Sequence, residues 1–184
     1  MTVLASRGQL RASFLRWALL IVPVVVFLGF LSGQFAGSGP GNPWFDALEK
    51  PAIYPPPGTF GIVWTVLYVL MGIAATMVLT ARGAAGRGAA LAAFVIQLIL
   101  NLAWSPLFFG AHRIEAALWL LVALDVAVVL TIALFWRVRR AAALLLLPYL
   151  AWTLFATLLN WEFLRANPGD RGGSEAAATT RFAI

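Results

Sequence analysis

Five runs of apolar residues, at about 14–36, 58–81, 88–109, 114–136 and 141–165, take up most of this chain. Each offers the roughly 20 residues that a helix rising about 1.5 Å per residue needs to cross a hydrocarbon core of about 30 Å. In lipid, every backbone N–H and C=O must be paired within the protein, so runs of this kind fold as transmembrane helices. The last three breaks between the runs are short (ARGAAGRG, GAHR and RVRR) and force neighbouring helices to be antiparallel. The chain is therefore read as an all-α, polytopic membrane protein with a five-helix domain at 14–165. A basic cytoplasmic arm at 1–13 precedes it, and a polar, glycine-rich tail at 166–184, expected to lack fixed structure, follows. Only one connection, 37–57, is long.

Composition agrees and removes several function classes. Of 184 residues, 62% are hydrophobic and 11% charged, against about 45–50% and about 25% in soluble domains. With no cysteine and one histidine, His112, disulfides, thiolate nucleophiles and the usual metal sites are excluded. No nucleophile–base pair or nucleotide-binding loop is present, so acid–base catalysis has no visible machinery. The net charge of +6 does not indicate nucleic acid, because the arginines lie between apolar runs and report topology. Arg7, Arg11, Arg16, Arg82, Arg87, Arg137, Arg139 and Arg140 fall on one side with no acidic residue beside them. That side is cytoplasmic by the positive-inside rule, which places the amino terminus in the cytoplasm and the carboxyl terminus outside. The arginines before the first run also suit a signal peptide, but the run is long for one. The −3 position of a cut at Ala36 would be Gln34, which is not small.

Depth can be assigned from this topology. Trp64 and Tyr68, spaced i, i+4, share a face of the second helix, with Trp64 about 9 Å below the outer surface. Gln97, Asn101, Trp104 and Phe108 form one face of the third helix, at i, i+4, i+7 and i+11. On the fifth, Thr153, Thr157, Asn160 and Trp161 are taken as one arc, with Trp152 deeper. Three aromatic and amide faces thus meet in the outer half, beneath the long loop. Against this stands a simpler origin: interfacial anchoring for Trp17, Trp44 and Trp136, and interhelical hydrogen bonding for Gln97. For Asn101 and Asn160 both readings stay open. Asp125, near mid-membrane, should face the bundle and be hydrogen-bonded. His112 is read as a solvated loop residue, Pro106 as a kink, and the Gly29/Gly33, Gly88/Ala92 and Ala89/Ala93 pairs as close-contact faces suited to a homodimer.

Four motifs in order resemble the TspO/MBR family of tryptophan-rich sensory proteins, related to the mitochondrial translocator protein. They are WFDALEKP at 44–51 followed by Pro55 and Pro56, FGIVWTVLYVLMG at 60–72, QLILNLAWSPLFF at 97–109, and PYLAWTLFATLLNWEFLR at 148–165. The resemblance implies a five-helix bundle, commonly dimeric, with a ligand pocket closed by the first loop. It implies no obligatory cofactor, and protoporphyrin IX, haem or a related tetrapyrrole as ligand; some members bind sterols or benzodiazepine-type drugs. Carried over by position, the pocket would use Trp64, Tyr68, Asn101, Trp104, Phe108 and Trp161, with Asn160 added from its depth. Trp44, Lys50, Pro51, Ile53, Tyr54, Pro55 and Pro56 would form the lid. Some bacterial members promote light-dependent porphyrin breakdown, for which positions matching Trp64 and Trp161 are implicated. The chain departs from the family at Ile53, where a tryptophan is usual, and at Trp161, where the mammalian sterol pattern has tyrosine.

Overall fold

The computed structural model describes residues 6–170; the first five residues and most of the tail lie outside the described residues. The described chain is helical, without strands, and five of its helical segments are long and apolar enough to cross a membrane. Helix α1 (Arg7–Phe35) begins within the segment read as an arm. Its start has a chemical cause that the apolar pattern does not reveal. Ser6 Oγ accepts from the Gln9 N–H at 3.2 Å, and Gln9 Oε1 accepts from the Ser6 N–H at 2.8 Å, a reciprocal capping box. A short helix, α2 (Pro43–Ala47), lies in the long loop. The second span is α3 (Pro57–Leu79), with Pro57 in its first turn, where a missing N–H costs nothing.

The third span is α4 (Arg87–Ser105), which passes into a π-helical turn, Pro106–Gly110, where a simple kink was expected. The reason is backbone pairing. Pro106 has no N–H for the carbonyl four residues back, that of Leu102. The Ser32 hydroxyl from α1 donates to that carbonyl at 2.6 Å. The fourth span is α5 (Ile114–Val138), and the fifth is broken into α6 (Arg140–Leu144) and α7 (Leu147–Ala166), with Pro148 in the first turn of α7. Asn167 follows α7 and is ordered, so the fixed structure extends past the expected start of the tail.

Two apolar clusters fill the bundle. One runs through its middle and the half away from the long loop, where Met71, Ala74, Val78, Ala90, Val128 and Phe135 are all fully buried. Small residues let the helices close there: a Cβ on Gly72 would lie 2.8 Å from Val22 Cα of α1, the close backbone approach on which membrane helix packing relies. The second cluster lies at the outer end, where Phe45 and Leu48 of the loop pack on Phe108, Phe109, Leu159 and Phe163. Between the two clusters the helices do not close.

Candidate functional site

The space between the clusters is a cavity of about 880 Å³, within the range of about 300–1,000 Å³ usual for small-molecule sites. Helix α3 contributes Phe60, Trp64 and Tyr68 to its wall. The Trp64 and Tyr68 rings stack at 5.3 Å and 26°, as their i, i+4 spacing allows. From α4 and its π turn come Asn101, Trp104 and Phe108, and the last two stack at 5.1 Å and 25°. Leu121 and Leu124 of α5 form part of the wall, and α7 adds Trp152, Ala156, Asn160 and Phe163.

Several polar groups of this wall are hydrogen-bonded across the helices, while the hydroxyls of Tyr54 and Ser105 also border the cavity. The Tyr68 hydroxyl donates to Asn101 Oδ1 at 2.8 Å. Trp104 Nε1–H donates to Asn160 Oδ1 at 3.2 Å, and Asn160 Nδ2 donates to the Ile114 carbonyl at 2.9 Å. Asn101 and Asn160 therefore serve both readings at once, bridging helices and bordering the cavity. Gln97 lies deeper, outside the wall, and its Oε1 accepts from the Tyr149 hydroxyl at 2.8 Å. Asp125 is also behind the wall and buried; its Oδ2 accepts from the Thr157 hydroxyl at 2.7 Å, joining α5 to α7.

Trp161 is not part of this wall. It is 44% exposed, and the Arg165 guanidinium lies 4.8 Å from its ring centroid. Neighbours on a helix point about 100° apart, so with Asn160 turned inward Trp161 turns to the outer face of the bundle. The inward stripe of α7 is Trp152, Ala156, Leu159 and Phe163. Its i, i+4, i+7, i+11 spacing is legible in the sequence as an apolar period, distinct from the arc of Thr153, Thr157, Asn160 and Trp161. Gly29 and Gly33 are likewise turned inward. A Cβ on Gly29 would lie 2.1 Å from Tyr68 Cε2, and both glycines border the cavity, so the close approach at Gly29 is made within the chain.

The lid differs from expectation in its parts. Its plug is Phe45, 3% exposed, which meets Phe109 at 5.1 Å and Phe163 at 5.7 Å. The helix carrying it has a readable signature: Asn42 as N-cap, accepting from the Phe45 N–H at 3.1 Å, then Pro43 and Asp46 in the first turn. Tyr54 packs on Phe60 and Phe163 and borders the cavity. Trp44 is set edge-on to Phe108 and stacked on His112 at 4.4 Å, so neither Trp44 nor His112 is a freely solvated or lipid-facing residue. Ile53 is 42% exposed, and Pro51, Pro55 and Pro56 do not border the cavity; Pro56 caps α3. Lys50 holds the loop together: its ammonium donates to the Phe45 carbonyl and, at 2.9 Å, to that of Leu48, above the Phe45 ring. Desolvation pushes this ammonium below the usual lysine value, with Asp46 opposing. Asn167 clips the loop's far end, with the Glu49 N–H donating to Asn167 Oδ1 at 2.8 Å and Asn167 Nδ2 donating to the Glu49 carbonyl at 3.1 Å.

Fold and site together define a class: a five-helix integral membrane protein with an aromatic-walled cavity beneath its first loop. The sequence matches the TspO/MBR family over residues 20–165. The tryptophan-rich protein TspO of Chlorobaculum tepidum is 39% identical over 152 residues, covering 81% of this chain and 94% of that protein. The translocator protein of Homo sapiens is 40% identical over 147 residues, 77% of this chain and 87% of its own. Protein CrtK of Rhodobacter capsulatus is 37% identical over 132 residues, 70% and 81% of the two chains. The chain belongs to the TspO/MBR family.

Proposed function

We propose that the protein is a membrane receptor for porphyrins and related tetrapyrroles, bound in the outer half of the bundle beneath the first loop. The observation that carries this reading is the cavity of about 880 Å³ with two stacked aromatic pairs, Trp64–Tyr68 and Trp104–Phe108, in its wall. A flat macrocycle stacks on such rings, and protoporphyrin IX or haem has the right shape. The protein works in a bacterial cell membrane with its amino terminus in the cytoplasm, an orientation supported by the arginine distribution. It acts as a homodimer. With Gly29 and Gly33 engaged inside the chain, the small residues left on the outer face are Gly88, Ala89 and Ala92 of α4.

Titration of the purified protein with protoporphyrin IX in the dark, followed by tryptophan quenching, tests the receptor. Saturable quenching is expected, weakened about three- to tenfold by Trp64→Phe through lost ring contact and unchanged by Trp161→Phe. Absence of saturable quenching would remove the reading. Light-dependent breakdown is one alternative, and transport of a porphyrin or small lipophile across the membrane, for which the sequence offers a single mid-membrane carboxylate and no repeat symmetry, is the other. Of the two tryptophans that breakdown would use, Trp64 borders the cavity and Trp161 does not. Loss of the porphyrin bands on illumination that requires Trp161 would favour breakdown.

A further inference from the structure

A cavity meant for a dicarboxylic ring would be expected to supply a cation for it, and among the described residues that line this one there is no Lys, Arg or His, nor any Asp or Glu. The cations of the outer end are engaged elsewhere. Lys50 is tied to the loop's own carbonyls, and Arg165 pairs with Glu162 at 3.3 Å and stacks on Trp161. Arg113, at the start of α5, does not border the cavity. The amides and the phenol deeper in the wall are paired with one another, as described above. What remains open to a ligand is a set of aromatic faces and aliphatic groups, with the neutral hydroxyls of Tyr54 and Ser105. Polar character returns at the mouth, with the exposed Gln34 in the last turn of α1 and Ser38 just past its end.

An ionised carboxylate moved from water into such a lining would exchange its hydration for neutral hydroxyl donors and no counter-ion, which is unfavourable. Resting on the tetrapyrrole reading, we infer that the site binds only the uncharged part of the macrocycle, and that any carboxylates stay at the rim beside Gln34 and Ser38. Charge then contributes nothing to affinity. A ring with its carboxylates on one edge is a ligand, its neutral diester is an equal or better one, and a ring bearing carboxylates on several sides is excluded. The site is thus selective for neutral or one-edged amphipathic planar molecules. Lys50 is a structural cation of the lid.

The test compares three probes on the full chain in lipid nanodiscs, in the dark: protoporphyrin IX, its dimethyl ester, and the tetracarboxylic coproporphyrin. Because the ester also partitions into lipid, only the quenching lost in Ala156→Phe, whose added ring fills the cavity, is counted. The ester should bind within about threefold of the free acid or more tightly, and coproporphyrin about a hundredfold more weakly. Binding of the acid about tenfold tighter than the ester would reveal an ionic partner and overturn the inference, while leaving the receptor reading intact. Quenching by acid and ester alike that persists in Ala156→Phe would place binding outside the cavity and overturn it too. No saturable quenching by any probe would remove the tetrapyrrole reading and this inference together.

Discussion

Gly29→Ala should be one of the most disruptive single-atom additions on α1. The new Cβ would stand 2.1, 2.3 and 2.6 Å from Cε2, Cζ and Cδ2 of Tyr68, well inside van der Waals contact. The obstacle is a ring held by a hydrogen bond to Asn101 and by the stack on Trp64, so it cannot swing aside freely. Overpacking of this kind costs about 1–3 kcal/mol. Displacing the phenol forfeits a further ~0.5–1.5 kcal/mol from its hydrogen bond. Against this, alanine is about 0.8–1 kcal/mol better than glycine within a helix. The net is a loss of about 1–3 kcal/mol, or several degrees of melting temperature at about 2–4 °C per kcal/mol for a chain of this size. Thermal unfolding in detergent, followed by circular dichroism, would measure it. The decisive comparison is a double-mutant cycle. In a Tyr68→Ala background the clash is gone, and Gly29→Ala should become neutral or slightly stabilising. An equal destabilisation in both backgrounds would refute the Gly29–Tyr68 contact and return Gly29/Gly33 to an intermolecular role.

Three further outcomes follow from individual contacts. Ser32→Ala removes the donor to the Leu102 carbonyl that Pro106 leaves unpaired, so it should destabilise by about 1–3 kcal/mol; in Ser32→Ala, Pro106→Ala the loss should shrink, as read by the same melts. Asn167→Ala breaks both bonds that clip Glu49 while leaving the bundle packed. Backbone hydrogen exchange around Glu49 should rise about tenfold at nearly constant melting temperature, since each bond is worth about 0.5–1.5 kcal/mol. Asp125→Asn keeps an oxygen to accept from Thr157 and removes a carboxyl whose insertion at mid-membrane costs at least about 2.5–3.5 kcal/mol. That variant should melt at or above the wild-type temperature, whereas Asp125→Leu, which cannot accept, should melt below it.

The five spans were legible because lipid leaves an apolar run of this length essentially one backbone solution. Their ends were less so, being set by single side chains: Ser6 and Gln9 extend α1 through a stretch read as solvated, and Pro106 turns the end of α4 into a π turn. The faces of α3 and α4 follow from spacing, since Trp64 with Tyr68, and Asn101 with Trp104 and Phe108, recur at helical period. On α7 the same reasoning went astray by following polarity. Asn160 does face the bundle, but the cavity stripe runs through Trp152, Ala156 and Phe163, and Trp161 lies off it. The glycine pair on α1 announced a close approach without saying to what. Periodicity identifies a face; only the packed structure identifies what that face meets. The lid shows the same limit: three consecutive prolines draw the eye, whereas the contact is made by Phe45, on a five-residue helix whose cap and proline were readable but whose target, Phe109 and Phe163, was not.

The cavity itself has a structural cause in how residue size is divided along the bundle. Away from the long loop, Ala74, Ala90, Ala142 and Ala143 pack without exposed surface beside larger residues such as Met71, Val78 and Phe135. Toward the outside the same helices carry rings, and much of their stacking is along one helix, Trp64 on Tyr68 and Trp104 on Phe108. Rings stacked along a helix thicken its wall without bridging to the next helix, so the walls stand apart. The walls are also cross-linked, by the hydrogen bonds of Tyr68 to Asn101 and Trp104 to Asn160 and by edge contacts such as Phe60 on Trp152 at 5.9 Å and Phe108 on Phe163 at 5.8 Å. Closure is then left to the loop, held at one end by Asn42, whose Nδ2 donates to the Phe109 carbonyl at 3.5 Å, and at the other by Asn167. Its opening requires breaking a few exposed hydrogen bonds and withdrawing Phe45 from its aromatic neighbours, while the small-residue packing below stays untouched. Under the receptor reading, a ligand would enter by displacing this loop and leave the packing below it in place.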